Sequence, residues 1–215
     1  MVFSDSGSTT TRSVDAKIES SLSIPQTIHY PRNSKDAVAV LNILKEWLPS
    51  ELGLSILHHA EYWILSRVYR EETLAYTSSD CRDKTPYLRS EPIQGDRFLV
   101  QKISIDIWSH DQEFNYYFES GTDNYDDAPT WFNFGIERPA GREDIFSKQD
   151  LHMVDNLRGR AKTTHHCIVY RRDEDVPWIQ ELQVGDRVSI IPQARFLGWK
   201  NFVERASIEV YMDPF

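Results

Sequence analysis

The sequence predicts a mainly β protein, an antiparallel β-sandwich behind a helical N-terminal unit, and three observations carry that expectation. Near residue 85 the spacing of apolar residues falls from about four to two. Beyond that point short alternating segments follow one another, separated by turn residues, with no helical stretch between them. Hydrophobic residues at 40% and charged residues at 27% of 215 suit a globular chain with one sizeable core. Strands in such uninterrupted succession point to a jelly roll, of the galactose-binding-like kind.

Taken in order, residues 1–32 are expected to be a disordered tail, because they are rich in Ser and Thr and lack any apolar period that would offset the entropy of ordering. A helical unit is expected over 33–84. In "NSKDAVAVLNILKEWL", Val40, Leu41, Leu44, Trp47 and Leu48 recur at helical spacing, and Asn33 or Ser34 can cap the start. Pro49 suits the first turn of a second helix, along which Leu52, Ile56, Ala60, Ile64 and Val68 make one stripe through "SELGLSILHHAEYWILSRVYREE". A polar connection with Pro86, Pro92 and Gly95 follows. The β-sandwich domain then occupies 85–215. "FLVQKISIDIW" turns Ile103, Ile105 and Ile107 to a core and Ser104 and Asp106 away from it. "TWFNFGIER" repeats the device with Phe132, Phe134 and Ile136, as do "HHCIVYRR", "RVSIIPQARF" and "VERASIEVYM", with a Gly-Asp turn in "QVGDR".

A net charge of -9 argues against sequence-independent binding to nucleic acid or to an anionic membrane surface, both of which need a basic face. Cys81 and Cys167 are too few for a disulfide framework, and "MVFSDSGSTTTRSVD" lacks a basic segment followed by an apolar core. A reducing compartment, the cytoplasm or the nucleus, and free thiols are the expectation.

The chemistry-bearing residues cluster in a few places. Ser109, His110 and Asp111 lie side by side on an extended strand, where alternate residues face opposite ways, so they cannot line up as a triad. No glycine-framed elbow surrounds Ser109 and neither cysteine sits in a protease signature, so no catalytic residue is assigned. His165, His166 and Cys167, with His152 upstream, alternate in the same way and lack a second cluster at zinc spacing. A strand with a buried cysteine is expected there, with no metal and no cofactor. His58 and His59 read as helix-surface or boundary residues. The acidic loop from Glu119 to Pro129 lacks the spacing of a calcium loop and is expected to be solvated. Its surroundings carry Phe114, Tyr116, Tyr117, Phe118 and Tyr125, more aromatics than a connection needs for packing. In "ARFLGWKNF", Arg195, Trp199 and Asn201 flank Gly198. The plain readings are structural hydrogen bonding at Ser109–Asp111 and a tight hairpin with Trp199 folded over a sandwich edge; the functional reading is a ligand site that joins His110, Asp111, Gln112 and Phe114 to Trp131, Arg195, Trp199 and Asn201 at one end of the sandwich.

From about Asn33 to Tyr211 the chain resembles a family of mostly uncharacterised fungal proteins, on "LPSELGLSILHHAEYW", "YLRSEPI", "SHDQ", "TWFNFGIERP", "GDRVSIIPQARFLGW" and "NFVERASIEVY". In that family "SHDQ" is usually followed by Gly-Trp, where Glu113-Phe114 stand here, keeping an aromatic and losing the glycine. The run "LPSELGLSIL" is similar to the start of the F-box, which docks on the adaptor of cullin ubiquitin ligases. That resemblance implies docking by Leu52, Ile56 and Leu57, within a contact segment of residues 48–70. The following "HHAEYWILSRVY" lacks the Asp-Leu step and the cysteine-lysine-tryptophan ending of that motif. Some F-box proteins carry a jelly-roll substrate domain that reads glycans, which is an analogy of fold. The expected function is a non-enzymatic recognition protein whose sandwich loops bind a glycan, peptide or protein partner. The alternatives are an F-box-like substrate adaptor and an enzyme of unknown reaction. Docking requires Leu52, Ile56 and Leu57 exposed, whereas packing on the sandwich or the first helix requires them buried.

Overall fold

A computed structural model of the chain describes residues 30–94, 99–112, 128–139, 151–159, 161–174 and 176–215. All but the last three residues of the expected tail lie outside the described residues, as do Glu113, Phe114 and the acidic loop as far as Asp127.

Helix α1, Ser34–Lys45, starts where Asn33 turns extended and its side chain accepts the Asp36 N–H at 3.1 Å. It buries Ala37 and Leu41 and ends with Lys45 in its last turn, where a cation suits the helix dipole. Helix α2, Ser50–His59, follows directly on Pro49. Gly53 faces α1 so closely that a Cβ there would stand 3.1 Å from Leu41 Cδ1, so its bareness sets how near the two helices approach.

The second helix expected to run past residue 70 stops at His59. Glu61 takes a left-handed turn, φ 49°, and Ile64–Arg70 is strand β1. A spacing of four is also a multiple of two, so Ile64 and Val68 fall on one face of a strand as readily as of a helix. Pairing with the last strand decides the matter, with Ile64 opposite Met212 and Val68 opposite Ile208. Strand β2, Leu74–Thr77, continues along the same partner, and a short helix α3, Ser78–Arg82, is held by a capping box between Thr77 and Asp80. The helical pair thus ends at His59, and much of the stretch expected to be helical belongs to a sheet.

The remaining elements are β3 Leu88–Arg89, β4 Leu99–Asp111, β5 Thr130–Glu137, β6 Leu151–Asp155, β7 Thr164–Arg171, α4 Pro177–Gln180, β8 Arg187–Ala194 and β9 Lys200–Asp213. They form two antiparallel sheets, the larger in the order β1-β9-β4-β7 with β2 also on β9, the smaller in the order β3-β8-β5-β6. From β2 onward the chain crosses repeatedly from one sheet to the other, so that the two sheets together form a β-sandwich.

One apolar core fills the space between the sheets. Ile103, Ile105 and Ile107 of β4 are fully buried with Phe132, Phe134 and Ile136 of β5, while Ser104 and Asp106 face outward, in the register the alternation predicts. Helix α4 closes one side, setting Trp178 against Phe134 at 4.3 Å and Tyr170 at 4.9 Å. The buried cysteine expected at Cys167 is instead Cys81, whose Sγ accepts the Ala194 N–H at 3.1 Å. Cys167 lies opposite Asp106 on the outward face and is exposed, because His166 takes the inward position. Both thiols are free.

Candidate functional site

The register of β4 and β9 sets His110 opposite Phe202 and Asp111 opposite Asn201, so the "SHDQ" stretch and the "ARFLGWKNF" loop meet at one end of the sandwich, as expected. Strand alternation then separates their roles. Ser109 and Asp111 point inward and are fully buried, whereas His110 points outward and stacks on Phe202 at 4.8 Å.

The inward residues join a polar network whose centre the sequence did not reveal. Ser109 Oγ donates to Asn156 Oδ1 at 2.6 Å. The Asn156 amide donates to Thr130 Oγ1 at 3.0 Å and to Asn201 Oδ1 at 2.9 Å. Asn201 in turn donates to the Trp131 carbonyl at 2.9 Å and the Gln193 carbonyl at 3.2 Å. Asp111 accepts the Gln112 N–H at 2.8 Å, the Gly159 N–H at 3.1 Å and the Thr130 hydroxyl. These bonds tie β4 and β9 of one sheet to β5 and β8 of the other. Asp111 and Asn201 are internal struts with their polar atoms spent inside the fold, which for Asp111 is the structural hydrogen bonding that is one of its two readings and for Asn201 replaces the expected ligand contact. Ser109 gives its proton to an amide oxygen, and His110 Nδ1 lies 2.8 Å from the Asp111 carbonyl, so neither serves the other. Asn156 follows the five-residue strand β6, too short to stand out as a strand, and only that strand's end would have marked it.

Burial pushes the Asp111 carboxyl up from its ordinary value of 3.8, against hydrogen bonds from Gly159, Gln112 and Thr130 that favour the charge. The folded chain therefore holds this proton more tightly than the unfolded one. Its contribution to stability is fully present below 3.8 and is lost as pH rises through the raised value. Thermal unfolding from pH 3 to pH 7 is expected to show a smaller loss of stability with rising pH in Asp111→Asn than in the unaltered chain. Parallel profiles would contradict this.

Outward, the same end presents Arg195 over the Trp131 ring at 5.7 Å, and Trp199 packed on Phe196 at 6.3 Å. Phe196 and Leu197 are exposed, and Gly198 supplies the left-handed turn, φ 86°. Gln112 is half-buried, and Phe114 lies outside the described residues.

The histidines divide by face. His165 Nε2 meets Asp106 at 2.7 Å on the outside, and His152 meets Asp155 at 3.1 Å. His166 is buried inward, where burial and then His165 lower its pKa and so favour its neutral form. Among the described residues no group of His, Cys, Asp and Glu could hold a metal ion, and no helix is long and apolar enough to cross a membrane.

The helical pair presents the other candidate surface. Leu52 and Ile56 are 53% and 46% exposed, whereas Leu57 is 5% exposed. The three residues expected to dock together are thus divided, Leu57 facing in and the other two facing water. Ile43 and Trp47 of the preceding turns are exposed as well. The pair is anchored on the larger sheet by Glu61, which forms ion pairs with Lys102 and Arg171, and by buried Trp63 against His58 at 5.8 Å. Between α2 and the end of β9 lies a hollow of about 420 Å³ walled by Leu54, Leu57, Tyr62, Trp63 and Phe215. Compared with known proteins, the chain matches no family model, no curated protein and no solved structure.

Proposed function

We propose that this chain is a non-enzymatic recognition protein that engages a protein partner through its helical pair, with the sandwich as a rigid support. The observation that carries this reading is the exposure of Leu52 and Ile56 one helical turn apart on α2. Twelve large hydrophobic side chains are exposed among the described residues, and six of them fall between Val38 and Ile56. Singly exposed apolar residues need no explanation, but this concentration in one short segment does. Covering such a side chain stabilises a complex by about 1.5–3 kcal/mol before binding costs.

The test begins with a photo-crosslinking residue at position 52 or 56, followed by production of the captured partner and calorimetry with the purified pair. Leu52→Asp with Ile56→Asp is expected to weaken binding by about tenfold or more, on the order of 1.4 kcal/mol. Phe196→Ser with Leu197→Ser is expected to leave it unchanged. The opposite pattern would move the partner site to the sandwich end, where the exposed Phe196 and Leu197 support a loop-based reading.

A second reading is the F-box-like adaptor, favoured by Pro49 directly ahead of α2 and by the same exposed pair. Its contact segment is then 48–59 instead of 48–70, since Ile64–Arg70 is engaged with β9. A purified ubiquitin-ligase adaptor that binds the chain and loses Leu52→Asp supports this reading. No complex at concentrations of about 50 µM, weaker than a typical specific pairing, rejects it.

A further inference from the structure

The outward face of the larger sheet carries a cleft of about 420 Å³, lined by residues of β1, β4, β9 and the turn after β1. Three rows of the ladder build it: Arg67 opposite Glu209, Tyr69 opposite Ser207, and Trp108 opposite Arg205. Its volume falls within the roughly 300–1,000 Å³ typical of small-ligand sites. Nothing in the helical pair or the sandwich-end loops contributes to it.

The side chains in this cleft define what it can hold. Tyr69 is 75% exposed and offers a flat apolar face. Trp108 stands between His165, stacked on it at 4.1 Å, and Arg205, whose guanidinium lies over it at 4.1 Å. The stack fixes the Arg205 fork in orientation, and its carboxylate neighbour, Glu71, is 3.9 Å away on a mostly exposed side chain that a ligand acid can displace. Arg67 is held by Glu209, which leaves the pair facing Ser207 and Tyr69 across the row. Of the three arginines in the lining, Arg67 and Arg70 are held by Glu209 and Glu72, and Arg205, with its longer contact to Glu71, is the one placed to meet a ligand acid.

The main chain of β9 and β4 is paired on both sides and β1 is the edge of the sheet, so a ligand seated on the face over β9 and β4 is read by side chains. That condition disfavours an extended peptide and suits a compact ring with hydroxyls and an acid group. Its C–H face would cover Tyr69, its acid group would meet Arg205, and its hydroxyls would exchange hydrogen bonds with Ser207. We propose that this cleft binds an anionic pyranose, a sugar ring bearing a carboxylate or a sulfate.

Calorimetry on the full chain at low and at physiological salt tests this with trigalacturonate, a sulfated heparin disaccharide, neutral maltotriose and the peptide Glu-Tyr-Glu. One of the two anionic sugars is expected to bind, more weakly at the higher salt and about tenfold or more tighter than maltotriose. Which of them binds distinguishes carboxylate from sulfate. Tyr69→Ala and Arg205→Gln, both on exposed side chains, are each expected to weaken that binding about tenfold with an unchanged melting temperature. The proposal is overturned if neither anionic sugar binds, if maltotriose or the peptide binds equally well, or if the binding survives both substitutions.

Discussion

Replacing Ile105 with alanine is expected to destabilise the protein by about 2–5 kcal/mol, through lost burial and the cavity left behind. Ile105 is fully buried at the middle of β4, with Ile168 opposite it on β7 and Ile208 on β9. Strands on both sides pin its backbone, so the surroundings have little freedom to collapse into the space. Ser104→Ala and Asp106→Ala are the controls. Ser104 faces outward, and Asp106 loses a partly exposed pairing with His165, worth about 1 kcal/mol or less, and a hydrogen bond with the exposed Cys167. Urea unfolding of the three variants measures the difference. A costly Ser104→Ala beside a tolerated Ile105→Ala would mean that β4 is shifted by one residue.

Asn156→Ala is expected to cost about 3 kcal/mol or more, with only a few atoms removed. It deprives the Ser109 hydroxyl of its acceptor and Asn201 Oδ1 and Thr130 Oγ1 of their donor, all at fully buried residues. A buried group left without a partner costs about 1–3 kcal/mol. The same measurement separates two views of the "SHDQ" end. Residues that serve as struts lower stability when removed, whereas residues kept for ligand contact do not. A melting temperature within about 1 °C of the unaltered chain would contradict the strut role, since for a chain of this size 1 kcal/mol corresponds to about 2–4 °C.

The strands legible in the sequence were those whose apolar residues alternate strictly, as in Ile103-Ile105-Ile107 and Phe132-Phe134-Ile136, because one buried face dictates that pattern. Strand β1 was misread because Ile64 and Val68 satisfy both periods, and its pairing with β9 lies far away in sequence. The two residues of β3 and the five of β6 were too short to register. At the candidate site, alternation sufficed to deny Ser109, His110 and Asp111 a mutual triad. It could not supply their partners, because Asn156, Gly159 and Asn201 come from other strands and loops. On α2 the division among the docking residues was within reach. Five residues carry Leu57 about 140° around the helix from Leu52, so the two cannot share a face. The cleft at Tyr69 and Arg205 is not legible in the sequence, since it depends on the register of three strands, one of which carries an apolar spacing that fits a helix equally well.

The claim that α2 keeps an apolar face free for a partner is tested most directly by thermal unfolding of Leu52→Asp, Ile56→Asp and Leu57→Asp in the full chain. Leu57 is 5% exposed, so a carboxylate there is forced into the packed side of α2 and the melting temperature is expected to fall by several degrees. At Leu52 and Ile56 the new charge meets water, and the melting temperature is expected to stay within about 2 °C. Falls at positions 52 and 56 as large as at 57 would show that this face is already packed within the folded chain, and docking through it would be contradicted.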